Sequence, residues 1–328
     1  MTKNLNILVV GGAGYIGSHT TLSLKVAGYN VVVYDNFLTG HHDACFGDHL
    51  VEGELINKRL LIKTIEKFEI DCVIQFAALI EAGQSVIEPI PFYQNNVAGT
   101  ISLLEAMHAT KVKRLVFSST AAVYGNSNSN ELLHEDKPKS PINPYGESKA
   151  IVETMLESCV NAYGMQAIAL RYFNAAGADA KGRSGERHEP ETHLIPLVIE
   201  TARGVRPHIN IYGTDYDTPD GTCIRDYVHV SDLASGHVQA VKRLFEIDHP
   251  YFDPINLGSG YGYSVKEIIE SVKKISKQEF KICKGKRRHG DPAVLVADAS
   301  KAKKMLGWHA QFSNIDQIVR DAWNFATK

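Results

Sequence analysis

Two kinds of apolar pattern alternate through the first half of the chain. Short runs of consecutive apolar residues at 7–10, 31–34, 72–76, 115–118 and 167–170 predict strands with both faces covered. Between them, Leu60, Leu61, Ile65 and Phe68, then Leu103, Leu104 and Met107, then Ile151, Val152, Met155 and Leu156 recur at helical spacing. Strands buried on two faces and separated by helices make a parallel sheet with a layer of helices on each side. The predicted class is therefore α/β, a doubly wound parallel sheet. After Arg171 the pattern loosens, and glycine, proline and charge gather between Gly177 and Pro190. A short strand at 209–212 and helices over 231–245, 265–275 and 315–325 predict a second, smaller mixed α/β domain. The expected division is 1–175 and 176–328, with the helix near 231–245 packing back on the first domain. The polar stretch 126–130 reads as a loop.

Composition narrows this picture. The 328 residues are 44% hydrophobic and 22% charged, ordinary values for a chain with a real core. A formal net charge of -2 gives no basic field of the kind that gathers nucleic acid or anionic membrane, so a small molecule is the expected partner. The 5 cysteines are scattered and contain no C-x-x-C pair, which argues against disulfides and zinc knuckles. No apolar run reaches the roughly 18 residues of a membrane span. The apolar run near the start breaks at Gly11 and Gly12, so it reads as a first strand and not a signal peptide. The expected location is cytoplasmic.

Candidate chemistry begins directly after that strand. GGAGYIG, with Gly11, Gly14 and Gly17, satisfies two glycine-rich dinucleotide patterns just ahead of a helix beginning near Tyr15. Glycines there allow a tight turn and a close approach of the backbone to a pyrophosphate, which the helix amino terminus then attracts. This makes the sheet one of Rossmann type and assigns 1–175 to the dinucleotide. The second strand runs to Asp35, whose carboxylate suits ribose hydroxyls and repels a 2'-phosphate, so NAD is expected over NADP. Phe76, Ala77 and Ala78 follow another strand, where small residues let a loop lie under a cofactor.

PYGESK places Tyr145 and Lys149 four residues apart, on one face of a helix. A phenol is a poor base at neutral pH, and a neighbouring ammonium stabilises its phenolate. Thr120, in SSTAAVYG at a strand's carboxyl end, is placed to relay a proton to Tyr145. Metal ligation is not expected: in HEPETH the histidines stand five apart with Pro190 between, which fails the i, i+4 geometry of a zinc helix, and His41, His42 and Cys45 read as solvated loop.

Taken together, GGAGYIGSHT, VVVYDN, FAA, YQNNVAGT, FSSTAAVYG, PYGESK, LRYFNAAGA, THLIPL, GTCIRDYVHV, NLGSG and GDPAVLVAD resemble the extended short-chain dehydrogenase/reductase family, on the side of its nucleotide-sugar 4-epimerases. They span nearly the whole chain. The resemblance implies Thr120, Tyr145 and Lys149 as a catalytic trio. It implies NAD contacts at Tyr15, Ile16, Asp35, Asn36, Phe76, Asn95 and Phe173. It implies contacts with a UDP-hexose at Thr120, Tyr145, Asn174, His193, Leu194, Asn210, Tyr212, Arg225, Arg288, Asp291 and Leu295. Guanidinium forks suit a diphosphate, which agrees with Arg225 and Arg288. The implied reaction is reversible 4-epimerisation of UDP-glucose and UDP-galactose through a bound 4-keto-sugar. N-acetylated UDP-hexoses and a dehydratase or reductase reaction are the alternatives, although Ala121 and Ala122 stand where dehydratases carry an acid pair. Departures from the family pattern are Gln75 for a histidine, Ile80 for a lysine, and Glu54 with Leu55 for an Asp-Ile pair near the adenine. These predict altered cofactor affinity with the chemistry kept. Leu295 stands at the position that gates acetamido-sugars. A homodimer is expected, through helices around 97–107 and 151–158.

Overall fold

A computed structural model describes residues 4–126, 131–288 and 291–328, so most of the polar stretch 126–130 lies outside the described residues. Along the chain come β1 (Asn6–Val10), β2 (Asn30–Asp35), β3 (His49–Glu52), β4 (Cys72–Gln75), β5 (Arg114–Thr120), β6 (Gln166–Tyr172), β7 (Asn174–Ala176), β8 (Ile209–Tyr212), β9 (Ile224–His229), β10 (Tyr251–Leu257), β11 (Gly262–Ser264), β12 (Ile282–Gly285) and β13 (Val294–Leu295). The helices are α1 (Tyr15–Val26), α2 (Lys58–Lys67), α3 (Ala82–Ile87), α4 (Pro89–Phe92), α5 (Gly99–Ala109), α6 (Pro144–Tyr163), α7 (Leu194–Ala202), α8 (Val230–Glu246), α9 (Val265–Ser276), α10 (Ser300–Leu306) and α11 (Ile315–Ala326). None among the described residues is long and apolar enough to cross a membrane.

Seven strands form one parallel sheet in the order β10-β6-β5-β4-β1-β2-β3. Its apolar runs are continuous because successive side chains enter two different cores. Ile7 and Val9 meet Leu24 of α1 and Leu233 and Val241 of α8, while Leu8 and Val10 meet Leu61 of α2, Leu103 of α5 and Val152 of α6. All four strand residues are fully buried, and each such side chain contributes about 1.5–3 kcal/mol. The strand order reverses between β1 and β4, which opens a crevice at their carboxyl ends.

A second lobe is built around β9, which pairs in parallel with β7 and β13 and antiparallel with β11; β8 and β12 form a separate parallel pair. Its core joins Ile195 and Val198 of α7, Ile268 and Val272 of α9, and Ile318 and Val319 of α11. The chain passes between the lobes repeatedly. After β9, α8 and β10 return to the first layer; β11 to β13 rejoin the second; α10 and Trp308 return to the first core; and α11 ends in the second. The sequence pattern missed β10 because Asp253 and Pro254 interrupt its apolar run. As the sheet's edge strand, with β6 its one neighbour, it tolerates the missing N–H of proline.

Candidate active site

The crevice at the carboxyl ends of β1, β2, β4, β5 and β6 receives the glycine loop from one side. Gly11 has φ +83, and a Cβ there would strike the backbone of Ala77; a Cβ on Gly17 would land on the Gly11 carbonyl. The loop thus lies backbone against backbone over the 76–78 turn, leaving a trough floored by main chain. α1 starts at Tyr15 with Gly14 as its N-cap, with no side-chain cap and no acid in its first turn, so its polarity stays available to an anion. Asp35 accepts Ala13 N–H at 2.9 Å and Phe37 N–H at 2.8 Å. Burial pushes its carboxyl up from the usual range while those hydrogen bonds pull it down. Ile16, Asn36, Leu55, Phe76, Ala77, Ala78, Asn95 and Phe173 line the same cavity as Gly11, Gly14, Tyr15, Gly17 and Asp35. These features fit a dinucleotide. The Glu54 side chain is not among the lining; its carboxylate accepts Asn36 Nδ2 at 3.0 Å.

Tyr145 and Lys149 open into this cavity from the first turns of α6, with Thr120 at the tip of β5. Position is set locally: Asn143 caps α6 by accepting Gly146 N–H at 2.8 Å, and Pro144 occupies its first turn. Thr120 hydrogen-bonds Tyr145, which lowers the phenol's pKa, but burial outweighs this and holds it above its ordinary value. Lys149 is fully enclosed, and desolvation lowers its pKa to about 7. Its Nζ donates 2.8 Å to the Ser118 carbonyl and lies 4.9 Å from the centre of the Phe117 ring. Both side chains open into the same cavity, as the spacing expects, and the lysine is tethered to the β5 backbone.

A second cavity continues from the first, sharing Tyr15, Asn174, Glu186 and His193 with it. Leu194, Asn210, Tyr212, Arg225, Arg288 and Asp291 line it. Arg225 is ion-paired with Asp291, and Arg288 lies over the Tyr212 ring at 4.3 Å. Leu295 lines neither cavity; like Phe173 it packs against the cluster of Ala121, Val123, Tyr124 and Leu133.

Several residues at the site were not anticipated from sequence. Asn96 accepts Leu79 N–H at 2.8 Å and donates to Leu79 O and Ser148 Oγ, each at 3.0 Å, which fastens the turn after β4 to α6. Glu153, one turn beyond Lys149, receives Arg171 through two bonds of 2.9 and 2.6 Å and Ser119 Oγ at 2.7 Å, all buried. This pair ties α6 to β5 and β6 beneath the trio. Its signal was an acid four residues after Lys149, hence on the same helix face, beside an apolar Val152. The spacing argument against HEPETH holds only for a helix. Residues 186–193 form no helix, and the irregular chain brings Glu186, His188 and His193 together.

The model of the NAD dependent epimerase/dehydratase family matches residues 7–258. A relative from Rhizobium meliloti (strain 1021), "UDP-glucose 4-epimerase", is 46% identical over 326 residues, 99% of this chain and 98% of that one. The solved UDP-glucose 4-epimerase of Brucella ovis, in complex with NAD, is 47% identical with a TM-score of 0.94, covering 98% of each chain. That of Bifidobacterium longum, with NAD+ and UDP, is 38% identical with a TM-score of 0.92, again over 98% of each. With the glycine trough, the Tyr145 pair and the arginine-lined half on one continuous cleft, and with this likeness running end to end, the chain belongs to the NAD dependent epimerase/dehydratase family.

Proposed function

We propose that this protein interconverts UDP-glucose and UDP-galactose by inverting the sugar's 4-hydroxyl, with NAD held in the first cavity and the UDP moiety in the second. The observation that carries this is the continuity of the two cavities, which share Tyr15, Asn174, Glu186 and His193, with Thr120 and Tyr145 opening into the first of them. Gly11, Gly14 and Gly17 receive the pyrophosphate, Asp35 and Asn36 the adenosine ribose, Leu55 the adenine side, and Asn95, Phe173 and Lys149 the nicotinamide end. When bound there, NAD supplies a reversible hydride acceptor.

The chain's own residues handle the proton and the geometry. Thr120 hydrogen-bonds Tyr145, so a sugar hydroxyl seated between them has a short path for its proton to the phenolate. Burial and the Glu81 carboxylate hold the Tyr145 phenol above its ordinary value; in this reading the ammonium of Lys149 and the cationic ring of the coenzyme are the charges that bring it down. Arg225 and Arg288 grip the diphosphate while Leu194, Asn210 and Tyr212 hold the base. The hexose itself has fewer anchors, so the 4-keto-sugar can turn over and take the hydride back on its other face. Ala121 and Ala122 follow Thr120 and offer no acid, which disfavours elimination of water.

The 1–175 portion serves the cofactor and 176–328 the substrate in this reading, with 230–258 lending structure to the first. Cytoplasmic location and a homodimer belong to the same proposal. Ile101 on α5, Ile151 on α6 and the neighbouring Val86, Ile87 and Ile90 are exposed apolar side chains on one helical side of the sheet, suited to a second copy. The test is incubation of the purified protein, with no coenzyme added, with UDP-glucose, UDP-galactose and their N-acetylated forms. Interconversion within the first pair is expected; its absence in a preparation that carries NAD would sink the proposal.

A further inference from the structure

Between the halves of the cleft stands a group of side chains to which the proposed reaction gives no proton to carry. Glu186, His188 and His193 each offer one ligand atom, and these atoms lie within 4.8 Å of one another; no other such cluster of His, Cys, Asp or Glu occurs among the described residues. Glu186 and His193 line both cavities, and His188 the first.

The segment that carries them is pinned from several directions. Arg187 forks onto Asp43 at 2.8 and 2.7 Å, and its carbonyl meets His41 Nε2 at 3.2 Å. Ser184 Oγ meets Ser18 Oγ at 2.8 Å, which fixes the start of the segment to α1. Glu191 accepts the backbone N–H groups of Thr192 and His193, each at 2.7 Å, and meets His193 Nδ1 at 2.9 Å. A carboxylate that holds one nitrogen of an imidazole leaves the other nitrogen as a free donor and sets the ring's direction, the usual support of a metal-bound histidine.

Charge points the same way. Glu186 places a carboxylate on the cavity in which Arg225 and Arg288 stand, where it is paired with His188. A divalent cation held by Glu186 inverts the local charge. Two imidazoles, one carboxylate and an open side match the three-ligand zinc site that keeps a position for an exchangeable group. In its absence Glu186 hydrogen-bonds His188 directly; a cation takes the place of that hydrogen.

We propose that Glu186, His188 and His193 bind a divalent metal ion of the zinc class at the junction of the two cavities, with its open position toward the substrate's diphosphate. The orientation toward a diphosphate rests on the function proposed above; the metal site does not. The test uses the full-length protein, stripped with a chelator and retaining its NAD, titrated without nucleotide by Zn²⁺ in a calorimeter and by Co²⁺ in visible absorption. One equivalent per chain is expected, with the strong visible bands of low-coordinate Co²⁺. Affinity should fall at least about tenfold in Glu186→Gln and in His188→Ala, each checked for folding by thermal melting, and stay unchanged in His249→Ala, an exposed histidine elsewhere. Addition of UDP should then tighten metal binding. Less than one equivalent, or folded Gln and Ala variants that bind like the parent, overturns the site. One equivalent indifferent to UDP overturns its orientation. Because the titration involves no turnover, a protein that fails it yet interconverts UDP-hexoses loses the metal site alone.

Discussion

On the β1 and β2 side, the cleft is lined by main chain and small residues drawn from short stretches of sequence. On the β8 and β9 side, it is lined by side chains that converge from distant stretches: His193 and Leu194, Asn210 and Tyr212, and the charged Arg225, Arg288 and Asp291. The first half recognises its ligand by how close the backbone comes, the second by where flexible cations are held. One half should therefore fail abruptly when a single atom is added, and the other should weaken by degrees as contacts are removed.

The abrupt side gives the largest expected effect. Gly17→Val drives a side chain into the Gly11 carbonyl, and the purified variant should emerge without coenzyme, as read from the nucleotide released on denaturation. A variant that keeps a full complement of NAD would erase the contrast. Tyr145→Phe, in the first half, should lower turnover by about 10² to 10⁴ while NAD content and melting temperature hold; turnover within threefold or so of the parent would remove Tyr145 as the proton carrier.

Acid should act on the cofactor side first. His19 lies against Tyr15 and His237 against Phe76, and burial lowers both to about 4 from 6.5. Between those values the unfolded chain binds more protons than the folded one, so native stability falls as pH drops from 6.5 to 4, by about 3 kcal/mol for each histidine. Urea unfolding at pH 7 and pH 5 should show about 2 kcal/mol of this loss for each histidine, and His237→Leu should shrink it; an unchanged pH dependence would assign it elsewhere. On the graded side, Arg225→Ala should raise KM for the nucleotide-sugar about 10- to 100-fold at constant NAD content. Smallest of all, Glu54→Ala removes an exposed contact with Asn36 and should change NAD affinity less than about threefold; a large loss would place the Glu54 carboxylate in the cofactor site.

How much of this was legible in the sequence follows the same division. The glycine loop, Asp35 and the Tyr145 to Lys149 spacing are local patterns, and each lies where one helical turn or one strand end puts it. β3 was missed because His49–Glu52 is a mostly exposed edge strand with no apolar run to announce it. Glu153 with Arg171, and Asn96 with Leu79, are pairs whose meaning depends on which elements become neighbours, information that composition and period do not carry. The second lobe was harder still, since Arg225 and Asp291 are 66 positions apart and share an ion pair only after β9, β11 and β13 have assembled. Lys149 marks the limit of a spacing argument: four residues of helix place an ammonium on the same helix face as a phenol, but its bond to the Ser118 carbonyl depends on β5 lying alongside.

The repeated passage of the chain between its two cores has a consequence for the gene. No single cut yields either half whole: ending the protein at 175 removes α8, the outer strand β10, and Trp308 from the first core, while beginning it at 176 carries those orphaned pieces along with their apolar faces uncovered. A lineage that acquires a new sugar specificity on this scaffold must therefore do so by changing side chains or loops in place, since exchange of one contiguous module for another would dismantle the partner that was meant to be kept.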